Sequence, residues 1–143
     1  MKKSLFVLMV VVVLGTLLLS ACSGGDTSGS GKQRPAAPSA YASKTNPLAG
    51  NADAATKGKD LFTAQCQACH GEKGLGDGPA GASLNPKPGN LQQAAKEASD
   101  AYIFWRVSEG GTMAPFNSSM PPHKDTLKED QIWQVITYVK TLK

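Results

Sequence analysis

Large apolar residues are distributed unevenly along the chain. They form a run from Leu5 to Leu19 that only Gly15 and Thr16 interrupt, nearly disappear between residues 23 and 52, and return at helical spacing from residue 53 onward. A short apolar run near the N-terminus, a connector without a core and a helical domain are the predicted elements in that order.

The domain begins with three predicted helices. Asp53 is a suitable N-cap for the first, a short helix is expected over Leu91 to Ala98, and Ser99 or Asp100 can cap the next, which ends at Gly110-Gly111. Apolar residues at helical spacing support the first and third, at Ala54, Ala55, Gly58, Leu61 and Phe62 and at Ile103, Phe104 and Val107. Residues 71–89 between them are rich in glycine and proline and predict a loop.

The last helix has the clearest pattern. Thr126 and Glu129 form a predicted capping box, and the helix that follows carries a continuous apolar stripe, made of Ile132, Val135, Ile136, Val139 and Leu142. No run of alternating apolar and polar residues suggests a strand. The predicted fold class is therefore all-α.

The N-terminus has the organisation of an export signal. Lys2 and Lys3 precede an apolar run that is too short to span a bilayer comfortably. The run ends in Leu19-Ser20-Ala21-Cys22, which resembles a bacterial lipobox and implies a signal peptide at residues 1–21 and a lipidated Cys22. A plain secretory cleavage and an uncleaved anchor are the alternatives.

Residues 22–52 are rich in Gly, Ser, Ala and Pro and predict a flexible tether, followed by a domain over residues 53–143. A tether of this length would have a root-mean-square span of roughly 30 Å and a stretched limit near about 100 Å. The net charge of +4 comes from the signal and the tether, because residues 53–143 hold ten basic and ten acidic side chains. A neutral domain does not indicate nucleic-acid binding.

The candidate chemistry lies in Cys66-Gln67-Ala68-Cys69-His70. A disulfide would close a very small loop, a thioredoxin-like dithiol lacks its βαβ context, and a closed zinc site would have only His123 as a usual fourth ligand. Covalent haem uses every part of the motif, since two thiols attach to the vinyl groups and the imidazole of His70 faces the iron. A small helical domain also needs something to fill its centre, which haem supplies.

The sequence resembles small single-haem bacterial c-type cytochromes. The resemblance covers residues 53–143 and rests on Gly58 to Phe62 before the pentapeptide, on Gly76-Asp77-Gly78-Pro79-Ala80, and on Phe116 to Pro121 ahead of Ile132 to Tyr138. It implies three to five helices around one covalent haem c, with the first and last helices packed together. Gly58 and Phe62 would then meet Trp133, Val135 or Tyr138.

The resemblance also implies the ligands of the iron. His70 is the expected proximal ligand and Met120, which precedes a proline as in the family, the expected sixth ligand. Met113 is the alternative. His123 stands where the family often has an aromatic residue, so that histidine ligation on both sides stays open.

Two weaker expectations concern the surroundings of the haem. In the family, a proline carbonyl after the haem motif accepts the Nδ1 proton of the proximal histidine, and Pro79 is the candidate here. Trp105 and Arg106 are candidates to lie near a haem propionate, although a helix-surface arginine beside a buried indole is the common alternative.

The expected function is one-electron transfer in a respiratory or photosynthetic chain. The protein would act either as a tethered shuttle or as the haem subunit of a membrane quinol-oxidising or oxidase complex, with redox proteins as partners, exported and anchored to a bacterial membrane through Cys22. No catalytic residue is required. A haem enzyme or sensor with a displaceable sixth ligand is the alternative, and a structural lipoprotein with an accidental pentapeptide is a minor third.

Overall fold

Six α-helices and one 3₁₀ turn make up residues 34–143, the part of the chain that the computed structural model describes, and this part contains no strand. The elements in chain order are α1 (Ser39–Ala42), α2 (Ala52–Gln65), α3 (Gln67–His70), the 3₁₀ turn (Pro79–Gly81), α4 (Leu91–Glu97), α5 (Asp100–Glu109) and α6 (Glu129–Val139). The predicted all-α class is confirmed.

The predicted signal peptide over residues 1–21 and the predicted lipidation site at Cys22 lie outside the described residues. Within residues 34–143, none of the helices combines the length and the apolar character needed to span a bilayer.

The crossing of α2 and α6 is the largest helix–helix contact in the described chain. A Cβ at Gly58 would overlap the carbonyl group of Gln134, so that only glycine allows the two backbones to approach this closely. One turn further along α2, the ring of Phe62 lies 5.3 Å from that of Tyr138, measured between centroids. The expected packing of the first and last helices is confirmed.

A small apolar core surrounds this crossing. Phe62, Val135 and Ile136 have side chains that are fully buried, and the ring centroids of Phe104 and Trp133 are 4.3 Å apart where α5 packs on α6. The buried residues of α6 are four of the five in the predicted apolar stripe together with Trp133 and Thr137, while the fifth, Leu142, lies beyond the end of the helix and is partly buried. The sequence periodicity therefore decides which face of α6 enters the core.

Two predicted helix caps are wrong by two residues each. The N-cap of α2 is Asn51, whose side chain accepts a hydrogen bond from the backbone N–H of Ala54 at 2.9 Å, while Asp53 lies in the first turn. The N-cap of α6 is Lys128, whose backbone N–H donates to the side chain of Gln131 at 2.9 Å. Thr126 instead donates its hydroxyl to the carbonyl oxygen of His123, which removes it from the helix start.

The compact unit begins at Arg34 and not at residue 53. Residues 34–50, here called the N-terminal strap, pack on α5 and α6, so the predicted tether over residues 22–52 is wrong for this part. Tyr41 and Leu48 are partly buried against the core, and the ring of Tyr41 lies 6.1 Å from that of Phe104. These are the two large apolar side chains in the strap, and they are enough to fix it because α5 and α6 already offer an apolar surface.

Polar contacts hold the strap along its whole length. Ion pairs join Arg34 to Glu97 at 2.7 Å and Lys44 to Glu129 at 2.6 Å. The hydroxyl of Tyr41 donates to Glu109, which raises the pKa of Tyr41 to about 12. The Asn46 side chain donates to the hydroxyl of Thr137 at 3.0 Å. The strap is thereby tied to α4, α5 and α6.

We expect Tyr41→Ala to lower the free energy of unfolding of the protein by about 2 kcal/mol, less than a fully buried aromatic residue would cost because Tyr41 is partly exposed. Chemical denaturation followed by circular dichroism measures this. Ser43→Ala at an exposed neighbouring position is the control and should change stability by less than about 0.5 kcal/mol. If the two variants were equally stable, Tyr41 would not fix the strap to the domain, and residues 34–50 would belong to the tether as first predicted.

Candidate functional site

The two cysteines of the pentapeptide lie on one helical turn. The backbone N–H groups of Cys69 and His70 both donate to the carbonyl oxygen of Cys66, at 3.2 and 2.9 Å. Cys66 itself has φ −120° and ψ −35° and interrupts the helix, so α3 leaves α2 at a small break. Both thiols are free and half-buried. The spacing needed to attach two thiols to one ligand is therefore present.

This turn opens into a cavity with about 660 Å³ of empty space, including the part open to solvent at its mouth. The walls come from the end of α2, from α3, from one side chain of α5 and from two loops, and the lining residues include Cys66, Cys69, His70, Arg106, Met120 and His123. The cavity thus gathers the predicted attachment and ligand residues from three separate parts of the sequence.

The thiols do not have the character of a redox dithiol. Burial, and then the neighbouring Cys69, raises the pKa of Cys66 to about 11, so its thiol is protonated at neutral pH. Catalytic dithiols require the opposite shift, because the thiolate is the nucleophile. Among residues 34–143, no group of three or more His, Cys, Asp and Glu side chains is arranged to hold a metal ion directly.

His70 presents one nitrogen to the cavity in a defined protonation state. Its Nδ1 lies 3.3 Å from the carbonyl oxygen of Gly89, and since a carbonyl can only accept, Nδ1 carries the proton and Nε2 carries the lone pair. Burial lowers the pKa of His70, with the Gly89 hydrogen bond opposing and His123 adding to the shift. A lowered pKa keeps the imidazole neutral at pH 7, which is the form that binds a metal.

The predicted role of Pro79 is wrong. The carbonyl that orients His70 belongs to Gly89, ten residues later, and Pro79 does not line the cavity. Pro79 begins the 3₁₀ turn, which packs behind α3: a Cβ at Gly78 would come within 2.6 Å of the carbonyl carbon of Cys69. The turn therefore supports the attachment helix from outside, and the glycines let it approach.

Met120 reaches the cavity because its backbone is pinned to the end of α5. The N–H of Gly111 donates to the carbonyl oxygen of Met120 at 2.9 Å, and Gly110 adopts φ 69° where a Cβ would collide with the same residue. Met113 accepts backbone hydrogen bonds from Phe116 and Asn117 in a turn, and it is not among the lining residues. The structure places Met120, and not Met113, at the cavity.

His123 lines the same cavity and is 6 % exposed. Its backbone N–H lies 3.1 Å from the carbonyl oxygens of both Val107 and Ser108, which fixes the segment after Met120 to the last turn of α5. Burial lowers the pKa of His123, so the ring is neutral at pH 7. A second neutral imidazole is thus available in the cavity, as the sequence left open.

Arg106 is the one residue of α5 that lines the cavity, and one of its guanidinium nitrogens lacks a hydrogen-bond partner. Its Nη1 is buried and has no hydrogen-bond partner in the protein, and burial lowers the pKa of its guanidinium. The guanidinium carbon lies 3.3 Å from the ring centroid of Phe116, and a Cβ at Gly111 would come within 2.6 Å of Nη2. A half-buried cation whose Nη1 is buried and has no partner fits a ligand that brings carboxylates into the cavity.

These residues fit a haem. Two thiols lie on one helical turn, a neutral imidazole carries its lone pair on Nε2, a thioether comes from another loop, and an unpartnered guanidinium matches a propionate. Sequence reasoning missed the role of Gly89 and could not decide that of Arg106. The loop pattern carries no signal for which carbonyl turns inward, whereas the helical register of α5 did include Arg106 as a candidate.

Comparison with known proteins agrees with this geometry. The family model described as Cytochrome c matches residues 55–143. Among solved structures, the chain is similar to a reducing HAO-like protein complex of Kuenenia stuttgartiensis, with 24% identity and a TM-score of 0.55 over 67% of this chain and 46% of that one. The match therefore spans less than half of that protein.

A second similar structure is cytochrome CL from the marine methylotrophic bacterium Methylophaga aminisulfidivorans, with 21% identity and a TM-score of 0.53 over 80% of this chain and 71% of that one. At these identities the two likenesses show the fold alone. A search of curated proteins found no match. The family match covers more than half of the chain, and the protein belongs to the cytochrome c family, whose members bind a c-type haem covalently.

Proposed function

We propose that this cytochrome c is a one-electron carrier with His70 and Met120 as the axial ligands of a single haem attached to Cys66 and Cys69. The observation that carries the proposal is the shared cavity, which collects these four residues from α2, α3 and the loop after α5. The family supports electron transfer through haem, and the assignment of each residue rests on the cavity geometry.

When bound, the haem supplies reversible Fe(III)/Fe(II) exchange. The chain's own residues determine how that exchange proceeds. Gly89 holds the Nδ1 proton of His70, which fixes the direction of the ring and increases the basicity of Nε2. The backbone hydrogen bond from Gly111 to Met120 holds the chain so that the thioether of Met120 lies at the cavity. With His70 and Met120 both bound to the iron, no coordination position would be open to small molecules, and a thioether ligand would favour a high potential.

Arg106 and the apolar walls act in the same direction. A cation in the cavity wall and a low-dielectric pocket both disfavour the extra positive charge of the oxidised state, so both raise the potential. Neither group needs to gain or lose a proton during the exchange. The reaction therefore needs no catalytic acid or base.

The membrane attachment is a further part of this proposal. With Cys22 lipidated, twelve residues, 22–33, would separate the lipid from the strap, which begins at Arg34. Twelve residues reach at most about 40 Å, less than half of the reach first expected. The domain would stay close to an exported face of a bacterial membrane and serve redox proteins or a membrane complex there. The mass of the mature N-terminal peptide after detergent extraction tests the lipidation.

Replacement of the two methionines separately tests the axial ligand. We expect the ferric protein to show the weak far-red absorption band of methionine-ligated haem, Met120→Ala to abolish it, and Met113→Ala to leave it unchanged. The reduction potential should fall only in Met120→Ala, because a thioether favours the ferrous state. Loss of the band in Met113→Ala alone would contradict the assignment.

The variant Met120→Ala, His123→Phe serves as the control for histidine ligation. If His123 replaces the lost methionine, the single variant stays low-spin and the double variant becomes high-spin in electron paramagnetic resonance spectra. A wild-type spectrum that is already high-spin would instead favour the alternative function, a haem enzyme or sensor with an open position.

Arg106→Leu should lower the reduction potential by on the order of 50 mV, because it removes a positive charge from the wall of the haem cavity. Arg106→Lys keeps the charge and should retain most of the potential, and Lys57→Leu at an exposed position of α2 is the control for net charge. Spectroelectrochemical titration of the three variants measures this. A potential that falls as far in Lys57→Leu as in Arg106→Leu would show that Arg106 has no special place at the site.

A further inference from the structure

Two loops form the mouth of the haem cavity. They are residues 84–90 and 117–122, here called the mouth loops. Both contribute to the lining of the cavity. The first loop does so through Leu84 and residues 86–89, and the second through residues 118–121. Asn85, Pro86 and Lys87 in the first loop, and Ser119 and Pro121 in the second, are exposed to solvent.

The mouth loops contain almost no charge. Lys87 is the one Lys, Arg, Asp or Glu residue among the thirteen positions of the two loops, and four of the others are prolines. Arg106 is the remaining charged side chain of the lining, and it lies inside the cavity. The exposed surface at the opening is thus made of proline, serine, asparagine and glycine around a single lysine.

Charged residues are concentrated elsewhere on the domain. Four ion pairs join the last three helices to the strap or to neighbouring loop residues, and they are Arg34–Glu97, Lys44–Glu129, Lys124–Glu109 and Lys140–Asp100. The exposed surface of α2 adds Lys57, Lys59 and Asp60. None of these residues lines the cavity. The low charge of the mouth loops is therefore a local feature in a domain of ordinary charge content.

A surface of this composition selects its partner by contact and not by long-range attraction. Prolines lose little conformational freedom when they are covered, so a face rich in them is inexpensive to bury. A partner face with many charges would lose hydration against it and find no opposite charge in return. A partner face that is itself uncharged and apolar avoids that loss.

We infer that the mouth loops are the face through which electrons enter and leave, and that they fit a redox protein whose contact surface is uncharged and apolar. This inference rests on the proposed function, because it takes the haem to lie in the cavity. It adds the class of partner and makes Lys87 the one residue that sets the electrostatic response of the exchange.

Electron transfer with small redox reagents of opposite charge tests the local charge at the point of exchange. The probes are hexacyanoferrate, an anion, and tris(phenanthroline)cobalt, a cation, with rates measured by stopped flow on the haem-loaded protein. Between about 0.01 M and 0.15 M salt the Debye length falls from about 30 to 8 Å, which removes long-range effects. For the wild type we expect each rate to change less than about fivefold, whereas charged clefts give about 10- to 10³-fold.

Lys87→Glu should slow the low-salt reaction with hexacyanoferrate by about tenfold and accelerate that with the cobalt complex, both effects vanishing at high salt. Lys57→Glu makes the same change of net charge about 14 Å from Cys66 along α2 and should leave both rates within about twofold of the wild type. A steep salt dependence of the wild type, or a larger effect at Lys57 than at Lys87, would overturn the inference while leaving the haem and its ligands in place. Protein that carries no haem would overturn the proposed function itself.

Discussion

The attachment of one haem to a single helical turn is the constraint on which the rest of the structure depends. Cys66, Cys69 and His70 can face one ligand only because α3 continues α2 after a small break, and α2 is held in place by its crossing with α6 at Gly58. The protein core around this crossing is small. A covalently held ligand next to it both fills the centre of the domain and fixes the position of the iron relative to the chain.

The remaining parts of the fold serve the two sides of that ligand. On the His70 side, the carbonyl of Gly89 sets the proton on Nδ1, and the 3₁₀ turn supports α3 from behind. On the other side, hydrogen bonds to the end of α5 pin Met120 and His123, and α5 also contributes Arg106. The strap closes the face of α5 and α6 that lies away from the cavity lining. The mouth loops carry one charged side chain, Lys87, and are therefore nearly neutral.

The sequence was sufficient for the elements with strong periodicity or a specific motif. The stripe of α6 and the cap at Ser99 are local patterns that the structure confirms. The attachment motif is also a local pattern, and the structure places its two cysteines on one helical turn. The strap was mistaken for a tether because its composition is that of a linker, and its order comes from partners distant in sequence, such as Phe104 and Thr137. Local composition cannot show that a distant helix pair offers an apolar surface to Tyr41.

In the candidate site, too, local features could be predicted from the sequence and features set by the folded path of the chain could not. Residues within the motif were predictable from spacing, whereas the carbonyl that orients His70 was not, since every residue of a loop has one and only the folded path selects Gly89 over Pro79. Met120 was favoured by its proline neighbour, and the path of the chain along α5 now gives a physical reason for its position. The lack of a hydrogen-bond partner for the guanidinium of Arg106 depends on how the residue is buried in the fold, and a helical sequence pattern cannot show this.

The most direct test of the account is the cofactor itself. Purified mature protein should be red, contain one iron per chain, and keep its haem after denaturation, with the absorption maximum of a pyridine haemochrome joined through two thioether bonds. Protein that is colourless, that holds zinc, or that releases its haem on denaturation would contradict the claim that Cys66 and Cys69 attach a haem within one turn of helix.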